Sequence, residues 1–159
     1  MGPVGEQKTK PTQHTVKELM GLGITPDVLV CRSSKPLNDE TRQKLSAFCH
    51  VRPEAVFSTH DVPNIYHVPL MLEEQGFCDI LDIDCDKTGL LADWKAMAHR
   101  LDELTEEVNI AMVGKYTDLS DAYLSVIKSL QHAALAVERK LNIDWIEASD
   151  LEDENNACL

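Results

Sequence analysis

Asp27-Val-Leu-Val-Cys-Arg32 is an almost unbroken apolar run closed by a charge at each end, and it limits the possible folds more than any other stretch. A run this short and continuous reads as a strand buried on both faces, the pattern of a parallel sheet covered by helices. Helical patterns flank it. A short helix is predicted from Thr15 through Val16, Leu19 and Met20, stopped by Gly21 and Gly23. A second is predicted over residues 40–49, with Asn38 and Asp39 as candidate caps and Leu45 and Phe48 on its inner stripe. Residues 55–59 read as a further strand, Pro63 and Pro69 punctuate the next stretch, and residues 71–80 read as helix. Alternating buried strands and helices make this an α/β chain with a parallel sheet.

The pattern changes after residue 81. Residues 82–91 are polar and turn-rich, and residues 93–107 form a charged amphipathic helix with Trp94, Met97, Leu101 and Leu104 on one stripe. Next comes a new βαβ unit: a strand over 108–113, a turn at Gly114, a helix over 121–141 and a strand over 143–147. The organisation is therefore a first domain over 1–81, a linker with a docking helix over 82–107, and a second domain from 108 to 159. Two strands and one helix in about 50 residues struggle to cover both faces of a sheet. The chain opens on a turn-rich segment with no strand before it and closes on polar Asp150-Leu-Glu-Asp-Glu-Asn-Asn156. Both ends read as cuts through larger domains.

Charge excludes some partners. The formal net charge is −12, which argues against a nucleic-acid or membrane-surface binder, since either needs a basic face. There is neither a signal pattern nor an apolar run long enough to span a membrane. The five cysteines form no CxxC pair and their count is odd, so reduced, cytoplasmic thiols are expected rather than disulfides or a zinc site.

Positive charge is concentrated in one place, Lys8-Thr-Lys-Pro-Thr-Gln13, just ahead of the first predicted helix. A helix N-terminus offers unsatisfied N–H groups and a partial positive charge, so a triphosphate is a suitable guest. Pro11 is expected to hold the loop extended, with Thr12 and Gln13 supplying directional hydrogen bonds. A solvated loop whose lysines offset nearby acids is the competing reading from spacing alone.

The longer string Gly5-Glu-Gln-Lys-Thr-Lys-Pro-Thr-Gln-His-Thr-Val-Lys-Glu-Leu19 resembles the CTP synthase family. The likeness continues through Pro26-Asp-Val-Leu-Val-Cys-Arg32, Phe48-Cys-His-Val51, His60-Asp-Val62, Ile65-Tyr-His-Val-Pro69 and Leu72-Glu-Glu-Gln-Gly76. It resumes at Met112-Val-Gly-Lys-Tyr116, Ser120-Asp-Ala-Tyr123 and Ser125-Val-Ile127, so it covers most of the chain with only the linker poorly matched. The resemblance implies a ligase that aminates UTP to CTP, with ATP as co-substrate and glutamine as ammonia source, in pyrimidine nucleotide synthesis. It implies the C-terminal part of a P-loop-type synthetase domain, a helical linker, and the first βαβ unit of a flavodoxin-like class I glutamine amidotransferase domain. Lys8, Thr9, Lys10, Pro11, Thr12 and Gln13 would then contact UTP or the inhibitor CTP, with Lys44 adding a phosphate-facing charge. His60, Asp61 and Val62 would border the ATP adenine, and the magnesium ligands would lie outside this chain. The family pattern also implies a homotetramer.

Some elements of that chemistry have no counterpart here. No Gly-rich phosphate loop ending in Lys-Gly or Lys-Ser/Thr occurs, and none of the five cysteines has a Gly neighbour of the kind a nucleophile elbow requires. No catalytic residue is therefore expected on this chain, and alone it should form no CTP and hydrolyse no glutamine. The competing reading is a non-catalytic modulator or nucleotide-sensing partner of CTP synthase oligomers. Asp82-Ile-Asp-Cys-Asp86, with Thr88 and Asp93, echoes a calcium loop but has Lys87 where the sharp turn needs Gly, so a solvated acidic linker is expected. The six histidines lack ligand spacing. Gly114 reads as a tight turn, with Lys115 facing solvent or the glutamine site, and Trp94 and Trp145 as core or interface anchors.

Overall fold

The computed structural model describes residues 7–84 and 90–151 and divides into two compact units, one through Lys95 and one from Ala96. In the first unit, helix α1 (Lys10–Gly21) precedes strand β1 (Leu29–Ser33), helix α2 (Asp39–Cys49), strand β2 (Val56–His60) and the short helices α3 (Val68–Glu74) and α4 (Phe77–Ile80). Strands β1 and β2 pair in parallel, with Leu29 opposite Val56 and Ser33 opposite His60. The α/β class with parallel pairing thus holds.

One face of this pair carries the core. Val16 of α1, Leu45 and Cys49 of α2, Leu29, Val51, Ala55 and Val56 pack together, with Met20, Cys31 and Leu37 against them. Burial raises the Cys49 thiol pKa, and burial together with the nearby Cys49 raises that of Cys31. The other face is covered under β2, where Phe57 is fully buried and meets Phe77 edge-on at 5.1 Å. It is open under β1: Val30 is 51% exposed. The two-sided burial expected of β1 is therefore corrected to one-sided, because α1 and α2 cover only the Leu29–Cys31 face.

Side chains finish the edge of β2 that faces away from β1. Ser58 donates its N–H to Gln75 Oε1 and its carbonyl accepts from Gln75 Nε2, both at 2.9 Å. Two residues earlier the Val56 carbonyl accepts from Arg42 Nη1. Gln75 also donates to the Met71 carbonyl, which fixes it to α3.

Several helix boundaries differ from expectation for local reasons. Helix α1 begins at Lys10 rather than Thr15, so Pro11 sits in its first turn instead of an extended loop. A proline there is tolerated because its missing N–H would be unbonded anyway and its φ suits a helix. The helix expected over 71–80 is two helices, separated where Gly76 takes φ +79. In α2 the buried row is Thr41, Leu45 and Cys49, while Phe48 is 59% exposed rather than inward. Cys78 is disulfide-bonded, against the expectation of reduced thiols throughout, whereas Cys31 and Cys49 are free.

Helix α5 (Leu90–Glu103) ends before the predicted residue 107, because Glu107 already opens a strand. The second unit pairs β3 (Glu107–Gly114) in parallel with β4 (Lys140–Glu147), joined through helix α6 (Leu124–Ala136). The predicted helix over 121–141 is shorter at both ends. A 3₁₀ turn occupies its start, and at its end strand pairing wins: Lys140 lies opposite Glu107, and Glu138 turns the chain with φ +56. No residue of β3 or β4 is fully buried. Gly114 ends β3 for reasons of clearance, since a Cβ there would meet Tyr123 Oη at 2.5 Å. That tyrosine donates to the Lys115 carbonyl at 2.6 Å and packs its ring on Trp145 at 5.5 Å. Among the described residues, no helix is long and apolar enough to cross a membrane.

Candidate functional site

His60, Asp61 and Val62 stand at the carboxyl end of β2, where parallel sheets place ligands, and Gln7, just ahead of the lysine segment, bonds to the loop that follows β1. Lys8 and Lys10 are exposed at the start of α1, and Thr9 between them is buried. Gln13 donates from its main chain to the Thr9 carbonyl and from Nε2 to Thr9 Oγ1, both at 3.0 Å. Thr9 and Gln13 therefore bond to each other and set the first turn, which directs the lysines outward. No side chain caps α1 and its first turn carries no acid, so the partial positive charge of that helix end is not compensated locally. Helix α2 is the opposite case: Asn38 Oδ1 accepts from the Thr41 N–H at 2.7 Å, and Asp39 and Glu40 fill its first turn.

Phe48 links the two helices. The Lys10 ammonium lies over its ring at 5.9 Å from the centroid, a favourable cation–π placement. Lys44 is exposed one turn before Phe48 on α2, hence on the same face. The structure thus brings Lys10 and Lys44 to one side of the α1–α2 pair, a relation that their separation in sequence conceals. Pro11 is exposed and Thr12 half-buried in the same first turn.

His60, Asp61 and Val62 line a cavity of about 580 Å³ together with Val30, Arg32, Thr59, Ile65, Val68 and Leu72. Its walls are mostly aliphatic, with an ion pair at the rim: Arg32 Nη2 to Asp61 Oδ1 at 3.3 Å. Such a cavity suits a flat, weakly polar ring with a few directional groups. Nδ1 of His60 is enclosed without a hydrogen-bond partner. Sequence reasoning missed Arg32, although it closes the apolar run that defined β1. The uncovered face of β1 is what exposes it to this cavity.

The connection between β1 and α2 runs between these two groups. Ser33 Oγ donates to the Lys35 carbonyl at 2.7 Å, and the Leu37 N–H donates to Ser58 Oγ at 3.1 Å. The Asp61 N–H donates to the Ser33 carbonyl at 3.0 Å. A larger cavity of about 750 Å³ is lined by Glu73, Asp79, Asp82, Asp84 and Lys95; four acids against one lysine make it unsuited to a polyphosphate. The calcium-like string lies partly outside the described residues. Among the described residues no three His, Cys, Asp or Glu side chains are grouped to hold a metal ion.

Residues 1–84 match the family model described as the CTP synthase N-terminus. The chain is similar to a CTP synthase of Dictyostelium discoideum, 48% identical over 99% of this chain and 31% of the relative. It is also similar to CTP synthase 1 of Homo sapiens, 54% identical over 93% of this chain and 26% of the relative, and to CTP synthase 2 of Rattus norvegicus, 52% identical over 96% and 27%. The chain spans between a quarter and a third of the length of these relatives.

Proposed function

The chain belongs to the CTP synthase family, and we propose that it is the portion of a CTP-forming ligase that holds pyrimidine nucleotide and the base of ATP. The reaction would be the ATP-dependent amination of UTP with glutamine as ammonia source. Residues from 108 onward would open the glutamine amidotransferase domain, and the stretch around α5 would link the two. The observation that carries this reading is that Lys10 and Lys44 share one side of the α1–α2 pair, with Lys8 exposed just ahead of an uncompensated helix start. An anion gains there from charge-assisted hydrogen bonds and from the helix end together.

In this reading Lys8, Lys10 and Lys44 draw in the triphosphate of UTP or CTP, while Thr9, Pro11, Thr12 and Gln13 shape the turn that presents the lysines. The aliphatic cavity beside His60, Asp61 and Val62 takes the adenine, with Arg32 at its rim. The magnesium ligands would lie outside this chain, and the chain by itself would turn over neither UTP nor glutamine. Cytoplasmic location and tetrameric assembly belong to the same proposal.

The test is nuclear magnetic resonance titration of the isotopically labelled chain with UTP and, separately, with ATP at low ionic strength. UTP should move the amides of residues 8–13 and 44, and ATP those of residues 60–62. Lys8→Ala and Lys10→Ala should each weaken UTP about tenfold, the size of one charge-assisted contact, and change ATP less. Loss of ATP binding with UTP unaffected, or no UTP response at the lysines at millimolar nucleotide, would overturn the assignment.

A further inference from the structure

We propose that Gln7 is a positioning residue for pyrimidine nucleotide, acting as a clasp that sets the lysine segment against the start of α2. This rests on the proposal that Lys8 and Lys10 meet the triphosphate. The Gln7 side chain uses both ends of its amide on the main chain of one loop. Nε2 donates to the Pro36 carbonyl at 2.8 Å, and Oε1 accepts from the Asn38 N–H at 3.1 Å. Those partners lie 29 and 31 residues away. A primary amide can satisfy a carbonyl and an N–H at once, whereas a carboxylate only accepts and an ammonium only donates. The geometry therefore selects glutamine on chemistry as well as length.

The position of this clasp gives it more than a local role. Asn38 is the cap of α2, so the loop it grips leads directly into the helix that carries Lys44 and Phe48. On its far side the same loop is fixed to β2 through Ser58, and where it leaves β1 the Ser33 carbonyl accepts from the Asp61 N–H. Lys8 comes immediately after Gln7, and the buried Thr9 comes next. Gln7 thus fixes where Lys8 and Lys10 stand relative to Lys44. Without it, each lysine keeps its charge but loses its common register, and the entropy of gathering them falls on the nucleotide.

The experiment compares Gln7→Met, which keeps length and volume but loses both bonds, and Gln7→Ala with Lys8→Ala and the double variant Gln7→Met/Lys8→Ala. Kd values for UTP and ATP are read from amide shifts of the whole chain. Gln7→Met should weaken UTP roughly three- to tenfold, the net effect of about one ordinary hydrogen bond, and leave ATP within about twofold on the same scale. The double variant should lose less than the product of the single effects, because the clasp works through Lys8. Equal loss of UTP and ATP would mean a merely structural bond and would overturn the proposal. An unchanged UTP Kd in both Gln7 variants, alongside a weakened Lys8→Ala, would overturn it while leaving the nucleotide site intact. No UTP effect from Lys8→Ala would remove the site and the clasp together.

Discussion

Leu45 and Phe48 stand three residues apart on α2, and replacing each by Ala should destabilise the first unit to clearly different extents. Leu45 is 2% exposed within the packed row with Val16 and Val56. Truncating a buried leucine costs about 2–5 kcal/mol, through lost transfer energy plus a cavity. Phe48 is 59% exposed, so about two-fifths of a ring worth roughly 3 kcal/mol when fully buried is at stake, near 1 kcal/mol. The Lys10 contact adds about 0.5–1 kcal/mol, the range for an exposed cation–π pair. Phe48→Ala should therefore destabilise the first unit by about 1–2 kcal/mol, clearly less than Leu45→Ala. The assay is amide exchange at Val56 and Phe57, whose residues are fully buried and so report the deeper openings of this unit. UTP affinity separates the pair again. Phe48→Ala releases Lys10 and should weaken UTP about two- to fivefold, the equivalent of the lost cation–π energy. Equal destabilisation by the two variants would refute the one-sided burial of α2, and an unchanged UTP Kd in Phe48→Ala would refute the role given to its ring.

Gly114→Ala should loosen the second unit, because the new methyl would strike Tyr123 Oη at 2.5 Å and the ring carbon behind it at 3.0 Å; Tyr123→Phe, by removing the oxygen, should restore part of the slow exchange at Ile110 and Ile143, and no restoration would reject clearance as the reason for this glycine. Thr117 donates its N–H and hydroxyl to Glu147 Oε2 at 3.1 and 2.9 Å, which lowers the Glu147 pKa. A depressed carboxylate contributes stability above its unfolded pKa of about 4.3 and loses it as pH falls through the lower folded value. The Thr117 amide shift should therefore titrate with a midpoint below that of an ordinary glutamate, and a midpoint at or above it would contradict the bond.

What could be read in the sequence depended on the range of each interaction. The positions of the strands around Leu29 and Val56 were legible because a strand is written in consecutive residues, but the open face under Val30 was not, since it depends on which helices cover the sheet. The inner row of α2 was half legible. Residues 45, 48 and 49 lie close together on a helical wheel, so only the neighbour decides whether the third or the fourth residue turns inward, and here Cys49 does. Helix α1 was placed too late because Pro11 reads as a loop residue when it is also a good residue for a first turn. Among the site residues, the charge of Lys8 and Lys10 was visible locally and Lys44 was joined to them only by the family resemblance, while the link between Lys10 and α2 through Phe48 was not visible. Gln7, Arg32 and Gln75 were illegible as functional groups because each meets partners 17 to 31 residues distant, and nothing local marks such bonds.

Gln75 and Arg42 give the first sheet a direction of growth. A bare strand edge is a template for any passing chain, yet along β2 the template is already read by an amide that imitates a peptide group, N–H to carbonyl and carbonyl to N–H. An incoming strand would have to displace Gln75 and Arg42 together before making its first main-chain bond. Along β1 no described strand occupies the far side. The pair of strands is thus asymmetric as an assembly unit: one border is sealed by side chains, and any strand that joins this sheet must do so beside β1, on the border nearest the open face that carries Val30 and Arg32.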